Sequence, residues 1–201
     1  MSGELFLGLV GFAVITCFTP GPNNTMLLAS GLNFGWTRSV PHVLGVAFGF
    51  AFMVLAVGLG VGQVFALFPG LYNVLRVASI TYLLWLAWGI ATAGTVSEEA
   101  PGARPLTVLE AALFQWINPK AWIMALGATT TYVSASAFTL SVAIMAVTFG
   151  VVGFGSSASW TIFGAGLKRL LQRPDLVRWL NVAMAAMLVV SLWPVVADLL
   201  R

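Results

Sequence analysis

Thr19-Pro20-Gly21-Pro22-Asn23-Asn24 stands in the middle of an apolar run from Leu5 to Leu32, where helix breakers are least welcome. Proline removes a backbone donor and clashes with the preceding turn, and glycine adds backbone freedom. Two prolines around a glycine therefore stop a helix rather than bend it. In hydrocarbon, the freed N–H and C=O groups are tolerated only where they are buried in protein or line a polar cavity. Thr19, Asn23, Asn24 and Thr25 add polar side chains at the same depth. A broken membrane helix with polar groups at its break is the arrangement that binds solutes near the bilayer midplane. The plainer reading is a proline kink whose asparagines tie helices together. It leaves the doubling of both residue types without a purpose.

The second constellation is Gln115-Trp116-Ile117-Asn118-Pro119-Lys120-Ala121-Trp122. Lys120 is the one charge deep in an apolar span, and a buried ammonium is costly unless it lines water or finds a partner. No carboxylate lies at its depth: Glu110 comes ten residues earlier on the same span, about 15 Å away along a helix. Either the lysine snorkels to an interface, or it meets a substrate carboxylate or the free carbonyls at a break. Its central position favours the second.

The elements that must position these residues are membrane helices. Of the 201 residues, 60% are hydrophobic and 7% charged, against about 25% charged in soluble domains. A spanning helix needs about 20 apolar residues, and six such stretches occur, at 5–32, 41–65, 71–93, 108–132, 138–165 and 177–198. The first and fourth are broken. The fold expected is all-α, a single polytopic transmembrane domain over 1–201. The glycines of the second and fifth stretches (Gly45, Gly49, Gly58, Gly60 and Gly62; Gly150, Gly153, Gly155, Gly164 and Gly166) are expected to allow close helix packing.

Thr95–Thr107, with Pro101, Gly102 and Pro105, reads as a linker between halves at about 1–94 and 108–201. A shift of 99 residues lays Thr19-Pro20 onto Asn118-Pro119. With three spans in each half, the second half is expected to be inverted relative to the first, with a site between the broken helices. Arg38, Arg104, Lys168, Arg169, Arg173 and Arg178 fall on one side of this arrangement, and only Arg76 and Arg201 on the other. The positive-inside rule makes the richer side cytoplasmic and puts both termini outside, in the periplasm. Met1-Ser2-Gly3-Glu4 lacks the positive start of a signal peptide, so the first apolar run is expected to be kept.

FTPGPNN in the first span and QWINPKAW in the fourth resemble the paired motifs of the LysE/RhtB family of amino-acid exporters. The six-span layout agrees over nearly the whole chain. Ala78-Ser79-Ile80-Thr81-Tyr82-Leu83-Leu84-Trp85-Leu86-Ala87-Trp88 is similar to the family's third span, most of all in members that export cysteine and O-acetylserine. The resemblance implies efflux of small amino acids or derivatives across a bacterial inner membrane, driven by the proton gradient. The residues are compatible with this. One half-helix ending near Phe18 offers carbonyls and a negative dipole end, and the next, starting near Asn23, offers N–H groups and a positive one. A zwitterion carries a partner for each, and Asn23, Asn24 and Asn118 can add neutral hydrogen bonds. The expected substrate-binding set is Thr19, Pro20, Gly21, Pro22, Asn23, Asn24, Gln115, Asn118, Pro119 and Lys120.

Other residues are given lesser roles. His42, the one histidine, is expected to be a solvated residue at the cytoplasmic end of the second span. Arg76 is expected to snorkel outward. Trp85 and Trp88 read as packing or as pathway lining, and Cys17 as a small apolar filler. A lone cysteine excludes a redox pair or thiolate metal cluster. A divalent-metal exporter would want His, Asp or Cys clustered in the spans, and an enzyme would want a nucleophile–base pair or metal set at one depth. A passive channel stays open as an alternative. No cofactor, metal or nucleic acid is expected. The expected partners are the amino-acid substrate and the bilayer, and a homo-oligomer is left open.

Overall fold

The computed structural model describes residues 1–92, 104–170, 174–193 and 196–197, and every regular element among them is helical. The helices are α1 (Gly3–Phe18), α2 (Pro22–Ala56), α3 (Gln63–Leu67), α4 (Pro69–Thr92), α5 (Val108–Phe114), α6 (Pro119–Tyr132), α7 (Phe138–Leu170) and α8 (Pro174–Val190). Their starts follow from local chemistry. Pro22 and Pro119 open α2 and α6, where the missing N–H would have had no partner. Thr107 and Glu110 form a reciprocal capping box on α5, and Glu110 also holds Arg104 through two contacts of 2.6 Å.

The stretch 33–40, expected as a connection between the first two spans, is helical on both sides of one residue. Gly35 adopts φ 79° and ψ 173°, a backbone that side-chain-bearing residues rarely take. There α2 doubles back. Ser30 Oγ and Ser39 Oγ lie 2.9 Å apart, whereas nine residues of straight helix would separate them by about 13 Å. The second limb also ends earlier than the expected 41–65. It passes through a π turn at Val57–Val61, and Gly60 (φ 122°) redirects the chain into α3. Residues 93–103, which hold most of the linker expected at 95–107, lie outside the described residues, as do Arg173, Arg201 and the side chains of Lys168 and Arg169.

α7 is the spine against which both limbs of α2 pack. A Cβ on Gly31 would stand 2.0 Å from the Thr161 carbonyl oxygen, and one on Gly164 2.2 Å from that of Leu28. Backbones so close exclude any side chain at either position. Gly45 and Gly49, one turn apart, bring the second limb equally near Val108 and Ala112 of α5. The expected packing role thus holds for Gly164, Gly45, Gly49, Gly58 and Gly62, and Gly150 meets Ala51 at 3.3 Å. It fails for Gly153, Gly155 and Gly166, which have open space beside them, and for Gly60, which serves a turn.

Phe149 forms the centre of the main core, edge-on to Phe50 at 5.3 Å and to Phe12 at 6.2 Å. The outer surface is apolar as well: Leu7, Ile15, Phe48, Val147, Trp179 and Val190 are all exposed. Asn73–Thr92 and Phe138–Leu167 are each long and apolar enough to cross a membrane, and Pro22–Val61 is equally apolar but folds back at Gly35. An apolar core inside an apolar surface is what a bilayer requires as solvent.

Candidate functional site

The two breaks meet. α1 ends at Phe18, with Thr19 and Gly21 extended beyond it, and α2 begins at Pro22. In the second half α5 ends at Phe114, and α6 begins at Pro119 behind Asn118, whose side chain caps the Lys120 N–H at 3.1 Å. The Lys120 ammonium crosses from α6 to the end of α1. It donates to the Thr19 carbonyl at 2.6 Å and lies 3.4 Å from that of Pro20. A cation at the C-terminal end of a helix complements both its free carbonyls and its negative dipole end.

The other groups at the first break are organised around the same carbonyls. Asn24 Nδ2 donates to the Cys17 and Thr19 carbonyls at 2.8 and 2.9 Å, so this side chain clamps the broken ends together. Ser156 of α7 donates a third bond, to the Cys17 carbonyl at 2.8 Å. Serine plays the matching part at the second break, where Ser79 of α4 donates to the Ile117 carbonyl. Trp122 Nε1 closes that break further by donating to the Trp116 carbonyl at 2.9 Å. Each interruption of helix is thereby satisfied by protein groups, as a low-dielectric surround demands.

Asn23 and Gln115 form a reciprocal amide pair at 2.8 and 3.2 Å, and Gln115 also donates to the Ala111 carbonyl at 2.8 Å. Gln115 is fully buried behind this pair. Between the breaks lies a cavity of about 40 Å³, walled by Gly21, Asn23, Asn24, Asn118 and Lys120 together with Thr16, Cys17, Val46, Phe50, Ala121, Met124, Gly153, Ser156 and Ser157. By the space one water needs, it holds about three waters. An amino acid needs a wider crevice than this.

Of the ten expected residues, five therefore wall one cavity. Thr19 and Pro20 offer carbonyls to Lys120 from outside its wall, Pro22 and Pro119 start helices, and Gln115 orients Asn23. Cys17, read as filler, packs against the main core as expected, and it also lines the cavity and carries two hydrogen bonds on its backbone carbonyl. Ser156 and Ser157 went unnoticed, although two adjacent hydroxyls at the depth of an apolar span are themselves a signal.

A second cavity, of about 260 Å³, lies between the α2 hairpin, α4 and the segment leading into α5. His42 is in its wall and is only 2% exposed, which overturns the solvated position expected of it. The fold-back at Gly35 carries His42 into the bundle beside Ser30. Trp85 lines the same cavity, and both Trp85 and Trp88 are largely exposed rather than packed in the core. Arg76, expected to snorkel outward, is half-buried, with Asn73 Oδ1 at 3.4 Å.

The model of the LysE-type translocators matches residues 14–191. A cysteine/O-acetylserine efflux protein of Escherichia coli K12 is 29% identical over 191 residues, covering 94% of this chain and 96% of that protein. The protein of the same description from Shigella sonnei is similar to the same degree. Its counterpart in Shigella flexneri is 29% identical over 180 residues, covering 89% of this chain and 90% of its own. No solved structure matches.

Proposed function

The chain belongs to the LysE-type translocator family, whose members are polytopic membrane proteins, and from that premise we propose that it is a proton-coupled exporter of small neutral amino acids. Transport of an amino-acid-type solute follows from the family and from relatives described as cysteine/O-acetylserine efflux proteins. Cysteine, O-acetylserine, homoserine and threonine are the substrates proposed for it. It works from the bacterial inner membrane, with six spans and both termini in the periplasm.

One observation carries the proposed site: the Lys120 ammonium reaches from one broken helix onto the carbonyl end of the other, at the edge of a cavity that Asn23, Asn24 and Asn118 also line. Such a contact can be exchanged. A substrate carboxylate pairs with Lys120, and the substrate ammonium takes over the carbonyls of Thr19 and Pro20. The ends of both broken helices thus gain a charged partner for as long as substrate is bound.

Alternating access around this site is supported by how the two halves pair. α1 packs on α7 while α2 packs on α5, and these are equivalent contacts under an inverted repeat. α2 on α7 and α4 on α8 then join like with like across the halves. The small central cavity suits a closed state between the outward-facing and inward-facing ones.

Uptake of a labelled amino-acid panel into inverted vesicles, with and without a proton gradient, tests the proposal. Gradient-stimulated uptake of a small neutral amino acid is expected. Uptake that runs equally without the gradient and shows no counterflow would make the protein a passive channel, and a response to metal salts alone would make it a metal exporter.

A further inference from the structure

We propose that His42 is the group that carries the coupling proton, an inference that rests on the exporter reading above. A proton-driven exporter needs a side chain whose charge changes between the pH values of the two sides. Histidine is the residue whose ordinary range fits. This chain has a single histidine, and the structure buries it rather than leaving it at the surface.

Three observations bear on it together. The imidazole is buried, and neither Nδ1 nor Nε2 has a hydrogen-bond partner. Leaving two polar atoms of one ring unsatisfied in a membrane bundle is costly, and packing alone would be better served by an apolar residue. The ring forms part of the wall of the larger cavity, beside Ser30 and Asn33 of the other α2 limb. Finally, His42, Val46 and Phe50 succeed one another at four-residue steps on one face of the helix. Val46 and Phe50 wall the central crevice, so His42 lies one helical turn beyond it.

Among the described residues, the charged side chains around His42 offer a protonated ring no free anion. Arg104, itself a cation, lines the same cavity, and its two-point pair occupies the Glu110 carboxylate. Arg38, on the histidine's own helix, is exposed over the Phe34 ring. Lys120 belongs to the central crevice. Arg178 of α8 is exposed, and the described side chains of α7 include no charge. A proton on this ring therefore favours a bundle opened around it, and that preference couples protonation to conformation. The imidazole takes up a proton while the crevice is open to the periplasm and substrate has left. It releases that proton to the cytoplasm as the bundle reopens inward to reload.

Two measurements on the full-length protein, purified with a tag free of histidine, decide the matter. In proteoliposomes, His42→Gln is expected to keep counterflow of labelled substrate and to lose accumulation driven by a pH gradient. Retention of both activities overturns the proposal, and so does loss of both in a variant that folds. Should His42→Gln fail to fold, the wild-type ring answers alone. With one histidine in the chain, its labelled imidazole gives an unambiguous nuclear magnetic resonance signal. Its titration is expected to shift when a saturating small neutral amino acid is added. A ring that stays neutral from about pH 5 to 8, with or without that amino acid, overturns the proposal. Absence of wild-type counterflow is a separate result, and it removes the exporter reading itself.

Discussion

Alanine at position 21 tests the site without touching a polar group. Gly21 has φ 177° and ψ −174°, extended backbone that any residue adopts, so the substitution brings no backbone strain. The three atoms nearest the added Cβ all belong to Lys120: Cδ at 2.9 Å, Nζ at 3.1 Å and Cε at 3.5 Å. The lysine must therefore retreat, and the 2.6 Å bond from its ammonium to the Thr19 carbonyl is lost or stretched. A hydrogen bond of this charged kind contributes about 1.5–3 kcal/mol, which corresponds to roughly a 10- to 150-fold change in an equilibrium constant. The pair that binding puts in its place, between the ammonium and the substrate carboxylate, is of the same charged kind and is displaced with the lysine. Binding of a labelled amino acid identified by the vesicle panel is therefore expected to weaken by about that factor, with the helix start costing no more than about 1 kcal/mol of stability. The same change made in a Lys120→Met background should add little, because residues that act through one contact do not add. Wild-type affinity for Gly21→Ala, or a full additional loss in the double variant, would refute the placing of Lys120 in the site.

Further outcomes follow from other contacts. Gly164→Ala puts a methyl 2.2 Å from the Leu28 carbonyl oxygen and should cost about 1–3 kcal/mol, read as a lower melting temperature in detergent. Gly166→Ala, with nothing within 4 Å, should melt like the wild type. Asn24→Leu removes two bonds that tie α2 to the end of α1. At about 0.5–1.5 kcal/mol each, the loss should appear in melting temperature as well as in substrate affinity; an unchanged melting temperature would refute the clamp. A reporter fused after Arg201 that works only outside the cytoplasm should be active, and activity of a cytoplasm-only reporter there would reverse the topology.

What the sequence made legible was local. Two prolines around a glycine announce a break whatever the rest of the chain does, and α1 and α2 part where Thr19-Pro20-Gly21 stands. Asn118-Pro119 is likewise a cap followed by a first helical residue, readable from the two residue types alone. What stayed hidden was tertiary. Nothing in the stretch around Gly35 distinguishes a tight reversal from an ordinary connection, because the reversal depends on one positive φ stabilised by packing of the limbs. The burial of His42 follows from that reversal and was missed with it. Gly31 looked like any residue of its run, and its role emerges only where α7 crosses it. Ser79 and Ser156 sit far in sequence from the carbonyls they satisfy, so no spacing rule could link them.

The central claim is that substrate binds between the two breaks on the Lys120 ammonium. Counterflow of a labelled small neutral amino acid in proteoliposomes, wild type beside Lys120→Met, tests it most directly. Methionine keeps the length of the side chain and removes its charge, and no carboxylate is left unpaired, since the ammonium contacts only backbone carbonyls. The variant is expected to fold in normal yield and to lose counterflow. Normal counterflow from a folded Lys120→Met protein would contradict the claim and remove this lysine from the mechanism.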